Sequence, residues 1–319
     1  MDVQSVSVST KKTRTLSSVW KAALKKGNLG TWARTVTVIL ITGIFFFPIF
    51  FWFLASLKPF GLIFQLPPVI IFQPTFNWYK VVLGFLSFND LMMKLTGAVA
   101  GTGGGAYYSV PYIITSTIVA LTSTALVILV STPAAYSLSR FTFRRRQDLT
   151  FWILSTRMMP PIVAALPLFF MYRRADLIDT YPGVILVHAV INIPLAVLLL
   201  KSFFDEVPYD LDEAAMVDGA TRWQAFWRVI IHYILPGLAA TAILSFIFSW
   251  NEFLLTLTLS RTAVRTMPVA ASTFDTSTGG TEWGALAAFG TAAMVPVFIF
   301  VLFVQKNLVR GLTMGAVKG

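Results

Sequence analysis

The sequence predicts an all-α membrane protein: six transmembrane helices with both termini in the cytoplasm. Charge-free stretches recur along the chain, each long enough to cross a hydrocarbon core of about 30 Å. Only 12% of the 319 residues are charged and 56% are hydrophobic, with a mean hydropathy of +0.74. That is about half the charge of a soluble domain. Basic residues collect at the ends of the stretches, the pattern that orients helices against the cytoplasmic leaflet. The length alone allows two domains, but the apolar runs point to one bundle.

Residues 1–34 form a basic cytoplasmic arm (Lys11, Lys12, Arg14, Lys21, Lys25, Lys26, Arg34) in which Asp2 is the sole acid. A signal peptide does not fit, because the apolar run that follows is too long and lacks a small-residue cleavage site. Residues 35–57 carry no charge and form the first transmembrane helix. Residues 58–109 form an extracytoplasmic loop. Pro67, Pro68 and Pro74 break it early, and Trp78 to Phe88 is expected as an amphipathic helix at the membrane interface. Its glycines (Gly97, Gly101, Gly103, Gly104, Gly105) lack the strand–glycine–helix context of a nucleotide fingerprint, so a connector is expected there. Residues 110–305 hold five further helices. One starts near Val110 and ends by Ser139. The others are Thr150–Tyr172 with Arg157 inside, Pro182–Leu200, Pro236–Ser260 with Glu252 inside, and Gly284–Val304. Pro133, Pro194 and Pro296 are expected to kink spans two, four and six. A cytoplasmic loop, residues 205–235, interrupts this core, and residues 306–319 form a cytoplasmic tail.

The N-terminal arm, the turn Arg140–Arg146 with its four arginines, and the tail with Lys306, Arg310 and Lys318 all assign one side to the cytoplasm. The net charge of +11 sits mostly in these flanks, which argues for a membrane surface rather than nucleic acid. Cysteine is absent, which excludes disulfides, thiolate nucleophiles and Cys-ligated metal.

The loop 205–235 breaks the charge rule. Six of the chain's 14 acidic residues lie between Asp205 and Asp218, on the side where basic charge is expected. Asp205, Glu206 and Asp210 crowd the start of a helix that can begin at Pro208, which suits the helix dipole. Gly219 supplies a stop. Thr221 can cap a second helix, in which Trp223, Phe226, Trp227, Ile230, Ile231 and Ile234 follow one helical stripe. The loop is therefore expected to be a helix–glycine–helix elbow, its second helix packed on the bundle and its first presenting Glu213 beside Ala214 and Ala215. Anionic headgroups would repel so acidic an elbow, which favours docking to a protein.

Ionisable groups inside a membrane are functional candidates. Arg157 suits contact with a substrate, or else snorkelling or pairing with a neighbouring subunit. Asn251 and Glu252 suit an interhelical bond that fixes packing, or hydrogen bonding to sugar hydroxyls. His188 and Asn192, one turn apart, pose the same choice. No Gly-Lys-Ser/Thr phosphate loop exists, so this chain cannot hydrolyse ATP. With two histidines, no His-Glu-x-x-His and no Gly-x-Ser-x-Gly, metal and nucleophile chemistry lack their parts, and no enzyme is expected. An ion-coupled secondary transporter or channel, the alternative, requires paired carboxylates in the spans, where Glu252 stands alone.

The string Glu213-Ala214-Ala215-Met216-Val217-Asp218-Gly219-Ala220, running on to Ile234-Leu235-Pro236, resembles the EAA loop of binding-protein-dependent ABC importer permeases. Asp212 to Phe226, Asn251-Glu252-Phe253 and the tail from Leu308 to Gly319 are similar to the second permease of the maltose-type carbohydrate importers. The resemblance covers roughly residues 110 to 319. It implies the type I ABC importer permease fold and an inner-membrane, multi-pass location in a bacterium. It also implies an ATPase-coupling site at Glu213, Ala214, Ala215, Asp218 and Gly219, and a tail contact to the ATPase through Lys318 and Gly319. The implied partners are two copies of an ATP-binding subunit, a second, non-identical permease and a periplasmic solute-binding protein. ATP and Mg would be held by those partners, with no cofactor in this chain. The implied cargo is a sugar or polyol, with Arg157, Asn192, Asn251 and Glu252 as the candidate substrate path.

Overall fold

The computed structural model describes residues 29–63, 65–96, 107–276 and 280–315. Most of the N-terminal arm, the glycine cluster at 101–105, Lys318 and Gly319 lie outside them. The chain divides between Leu54 and Ala55 into two compact units. The first holds most of helix α1 (Leu29–Leu57), which carries Pro48 and is strongly apolar beyond Arg34.

The second unit is nearly all helical. Short helices α2 (Phe60–Ile63), α3 (Asn77–Val82) and α4 (Phe88–Thr96) precede the long α5 (Val110–Arg140). Then come α6 (Arg146–Met158), α7 (Pro161–Arg174) and α8 (Tyr181–Glu206). Helices α9 (Asp210–Val217) and α10 (Arg222–Tyr233) build the elbow. Helices α11 (Leu235–Trp250), α12 (Leu254–Leu259), α13 (Met267–Ala271) and α14 (Trp283–Gly315) complete the chain. A two-residue antiparallel ladder, Asp275–Thr276 on Gly280–Thr281, closes the loop before α14. Helix α14 continues past Val304, where the charge-free stretch ends, to Gly315.

Among the described residues, four helices are long and apolar enough to cross a membrane: α1, α5, α8 and α14. The number rises to as many as six if each of two bent pairs counts as one span, α6 with α7 at 93° and α10 with α11 at 76°. The expected third span is thus a broken one. Met159 and Pro160 take extended backbone, and Pro161 starts α7 at a position where a missing N–H costs nothing. The expected fifth span also stops early, at Trp250, and resumes as α12 after Asn251-Glu252-Phe253.

Helix α5 is the hub. It packs on α8 and α11, and α11 packs on α14. The region from Trp78 to Phe88 departs from expectation. Instead of lying on the interface, Trp78, Val81, Val82 and Phe88 are buried in the largest core, with Phe274, Ala285, Ala288 and Phe289. Trp78 Nε1 donates to the Lys58 carbonyl (2.8 Å), and its ring covers Gly284, where a Cβ would sit 2.4 Å from Trp78 Cε2. Large apolar side chains such as Phe151, Trp152, Met158, Phe170 and Phe298 remain exposed on the outside of the bundle, as expected where lipid or another subunit covers the surface.

Candidate functional site

The elbow is built as its caps dictate. Asp210, Asp212 and Glu213 fill the first turn of α9, and Gly219 ends it with φ +87°, a conformation only glycine adopts freely. The Ala220 N–H donates to Ala215 O (3.0 Å) and the Gly219 N–H to Met216 O (3.0 Å), the paired bonds of a Schellman stop. Thr221 and Gln224 then form a reciprocal capping box at the start of α10.

Beyond that box the helix widens into a π turn, Phe226–Ile230. The extra residue shifts the buried stripe. Phe226, Ile230 and Ile234 enter a core with Tyr136, Val197, Leu200 and Phe204, while Trp223 and Trp227 are 62% and 44% exposed. Those two tryptophans therefore leave the packed face on which the sequence pattern put them. Glu213, Ala214, Asp218 and Gly219 are exposed on the elbow, whereas Ala215 is buried at 8% exposure.

A polar clamp fastens α9 to the end of α5. Arg140 Nε lies 2.8 Å from Asp212 Oδ2, with side chains only 3% and 11% exposed. Tyr136 donates its hydroxyl to Asp212 Oδ1 (2.7 Å). Arg140 Nη2 donates to Val207 O (2.8 Å), and its guanidinium lies 4.4 Å from the Tyr209 ring centroid. Tyr209 donates to Ser139 O (2.9 Å), and Ser139 donates to Asp205 Oδ1 (2.6 Å). Tyr136, Arg140, Asp212, Glu213 and Arg222 line a cleft of ≈ 180 Å³ here. Sequence reasoning missed the clamp. Arg140 counted there as an orientation signal and Asp212 as part of an acidic run, and nothing in the sequence linked positions 72 apart.

The residues expected along a substrate path separate into two groups. Arg157 and Asn251 are exposed. Arg157 Nη1 donates to Ile191 O (3.3 Å) and lies 5.2 Å from the Phe248 ring centroid; Asn251 Nδ2 donates back to Ile247 O (2.8 Å). Glu252 and Asn192 instead join the interior. Glu252 accepts from the backbone N–H of Leu255 (2.7 Å) and Thr256 (2.8 Å) and from the Thr256 hydroxyl (2.6 Å), so it caps α12. His188 is fully buried between the hydroxyls of Ser249 and Thr256, 2.7 Å from each, and Nε2 is 3.4 Å from Glu252 Oε2. Ser123 of α5 extends the chain to Ser249 (2.9 Å), and Asn192 Nδ2 donates to His188 O (2.9 Å). Among the described residues, no group of three or more His, Asp or Glu is placed to hold a metal ion.

At the opposite end of the bundle Asp179 makes a second clamp. Its carboxylate accepts from the backbone N–H groups of Arg261, Thr262, Ala263 and Val264 at 2.8–3.2 Å. Desolvation pushes its pKa up, but the four backbone donors outweigh that and hold it at about 2.

Broken apolar helices around a polar seam, with an acidic elbow outside, define a polytopic membrane transport component. The comparisons agree. Residues 127–314 match the family model of the binding-protein-dependent transport system inner membrane component, and the chain belongs to that family. It is a transport component of an inner membrane and not an enzyme. It is 37% identical to a probable ABC transporter permease protein y4oR of Sinorhizobium fredii over 80% of this chain and 83% of that one. It is 42% identical to the trehalose transport system permease protein SugB of Mycobacterium tuberculosis over 63% of this chain and 74% of the other. Its fold matches a chain of a bacterial ABC transporter involved in the import of the acidic polysaccharide alginate, with a TM-score of 0.64 at 20% identity, over 93% and 99% of the two chains.

Proposed function

We propose that this chain is one of two permeases in an ATP-driven sugar or polyol importer of a bacterial inner membrane, with both termini cytoplasmic. The observation that carries the reading is the elbow: an exposed acidic helix, Asp210–Val217, closed by Gly219 and set between membrane helices. Relatives named for trehalose, diacetylchitobiose and trehalose/maltose transport support a carbohydrate cargo. The chain has no phosphate loop of its own, so ATP and Mg belong to separate ATPase subunits. A solute-binding protein delivers the cargo, and a second permease completes the path.

In this reading Glu213, Ala214, Asp218 and Gly219 form the surface seated on the ATPase. Ala215 supports it from inside, and the tail with Lys318 and Gly319 adds a contact. ATP-driven closure of the ATPases moves the elbow, and the membrane helices alternate access. Arg157 and Asn251 lie on the substrate path; Glu252 and Asn192 hold its wall.

The test is co-purification of the tagged chain, followed by ATPase measurement in liposomes with the solute-binding protein. Recovery without any ATP-binding subunit, together with a proton- or sodium-driven flux, would sink the reading. Glu213→Lys is expected to leave insertion intact and to lower binding-protein-stimulated ATPase activity by at least about tenfold, the factor given by about 1.4 kcal/mol of lost docking. Unchanged stimulation would remove Glu213 from the docking surface.

A further inference from the structure

Helix α9 has little apolar anchorage. Of its eight residues only Asp212 and Ala215 are buried. Helix α10 is held differently, by Phe226, Ile230 and Ile234 in the core. A load applied to α9 enters the bundle through the covalent chain, through the packing of Leu211 and α9 on α10, or through Asp212, which alone ties α9 to α5 by a charge. That carboxylate is gripped from one helix turn: Tyr136 on Oδ1 and Arg140 on Oδ2, four residues apart and so on one face of α5. Arg140 also holds the segment leading into α9, through Val207 O and the Tyr209 ring, and Tyr209 donates back to Ser139 O.

We propose that Arg140 is the positioning residue that makes the elbow's first helix and the cytoplasmic end of α5 move as one body. This rests on the reading of the elbow as the ATPase dock, and it supplies the route by which docking reaches the membrane. Ala215 and Leu211 are apolar contacts, which fix register less sharply than a paired charge does. The guanidinium is held by a hydrogen bond to Val207 O and by the Tyr209 ring, and it meets Asp212 as a close ion pair outside hydrogen-bond geometry, three contacts that together set its position. Sliding would strip a buried charge of its partner, which is strongly unfavourable. Helix α5 is a suitable receiver: it packs on α8 and α11, which carry His188 and Ser249. Movement of its last turn is thereby passed to the walls of the polar seam.

The chain contains no cysteine, so thiols introduced at the exposed residues Asp210 and Leu129 carry the only spin labels on this subunit. The distance between them is read by pulsed electron paramagnetic resonance in the assembled importer, nucleotide-free and trapped with ADP and vanadate. With Arg140 present, the same distance distribution is expected in both states. With Arg140→Gln, trapping is expected to shift the distribution. Asp212→Asn, which keeps an acceptor for Tyr136 while removing the charge, is expected to do the same. A shift in the parent, or none in either variant, overturns the proposal while ATPase subunits are bound. A parent preparation that recovers no ATPase subunit overturns the docking reading as well.

Discussion

Asp179 sets its carboxylate on four consecutive backbone N–H groups while its own N–H donates to Leu259 O (2.8 Å) from a left-handed conformation of φ 57°. The residue ties the turn before α8 to the loop after α12. Its folded pKa of about 2 lies below the ordinary 3.8, so its stabilisation is complete above the ordinary value and fades as pH falls through about 2. Asp179→Asn presents an amide N–H₂ to backbone donors and is expected to lower the thermal midpoint in detergent. The gap to the parent should be widest at pH 7 and close toward pH 2. A gap that stays constant with pH would remove the charge from the account. Single residues differ in how far the sequence discloses them. Gly219 and Thr221 were legible because a cap is a local, short-range requirement. Ala215 was not, because whether it faces the bundle or a partner depends on how α9 is rolled, and Asp212 and Arg140 decide that roll from a distant part of the chain.

Helix α12 exists as a separate element because Glu252 satisfies the N–H groups freed where α11 stops. His188 staples across the break, holding Ser249 on the last turn of α11 and Thr256 on the first turn of α12. His188→Ala removes the bridge across the break and leaves a cavity where the buried ring stood, while Ser249 keeps Ser123 and Thr256 keeps Glu252 as partners. The expected outcome is reduced thermal stability and faster proteolysis between Trp250 and Leu254, with Gln at 188 restoring part of both. Parent-like cleavage in His188→Ala would show the break to be held from elsewhere. Such breaks were only half legible. The charge-free runs gave six crossings, since hydrophobic length is a property of composition. The 93° bend at Met159–Pro160 follows from the Pro160-Pro161 pair, and the π turn at Phe226–Ile230 accompanies the burial of Phe226 and Ile230; hydropathy carries neither. For the same reason Trp78 to Phe88 read as a surface helix. Its amphipathic face was real, but Gly284 and Phe289, which cover it, lie some 200 positions away.

Across the whole molecule, charge and depth decide what surrounds the bundle. Arg157 donates to Ile191 O, and Ile191 lies ten residues into α8, which begins at Tyr181. At 1.5 Å per residue that is about 15 Å from the helix end, half the thickness of a hydrocarbon core of about 30 Å. From there a guanidinium cannot snorkel to headgroups, and a charge facing lipid at that depth costs several kcal/mol by most measures. The exposed face carrying Arg157, Phe248 and Asn251 must therefore meet water or another protein, and lipid belongs elsewhere, on the phenylalanine-rich outside of α14. Because the chain has no other thiol, Arg157→Cys provides one reporter in this subunit. In the assembled importer it is expected to react with a charged, water-soluble methanethiosulfonate, and modification by the cationic reagent should return the positive charge and part of the transport. Cysteines placed at Phe298 or Phe303 on α14 should stay unreactive to the same reagent. If Arg157→Cys is as silent as these controls, the face is sealed by protein and the aqueous path runs along a different side of the bundle.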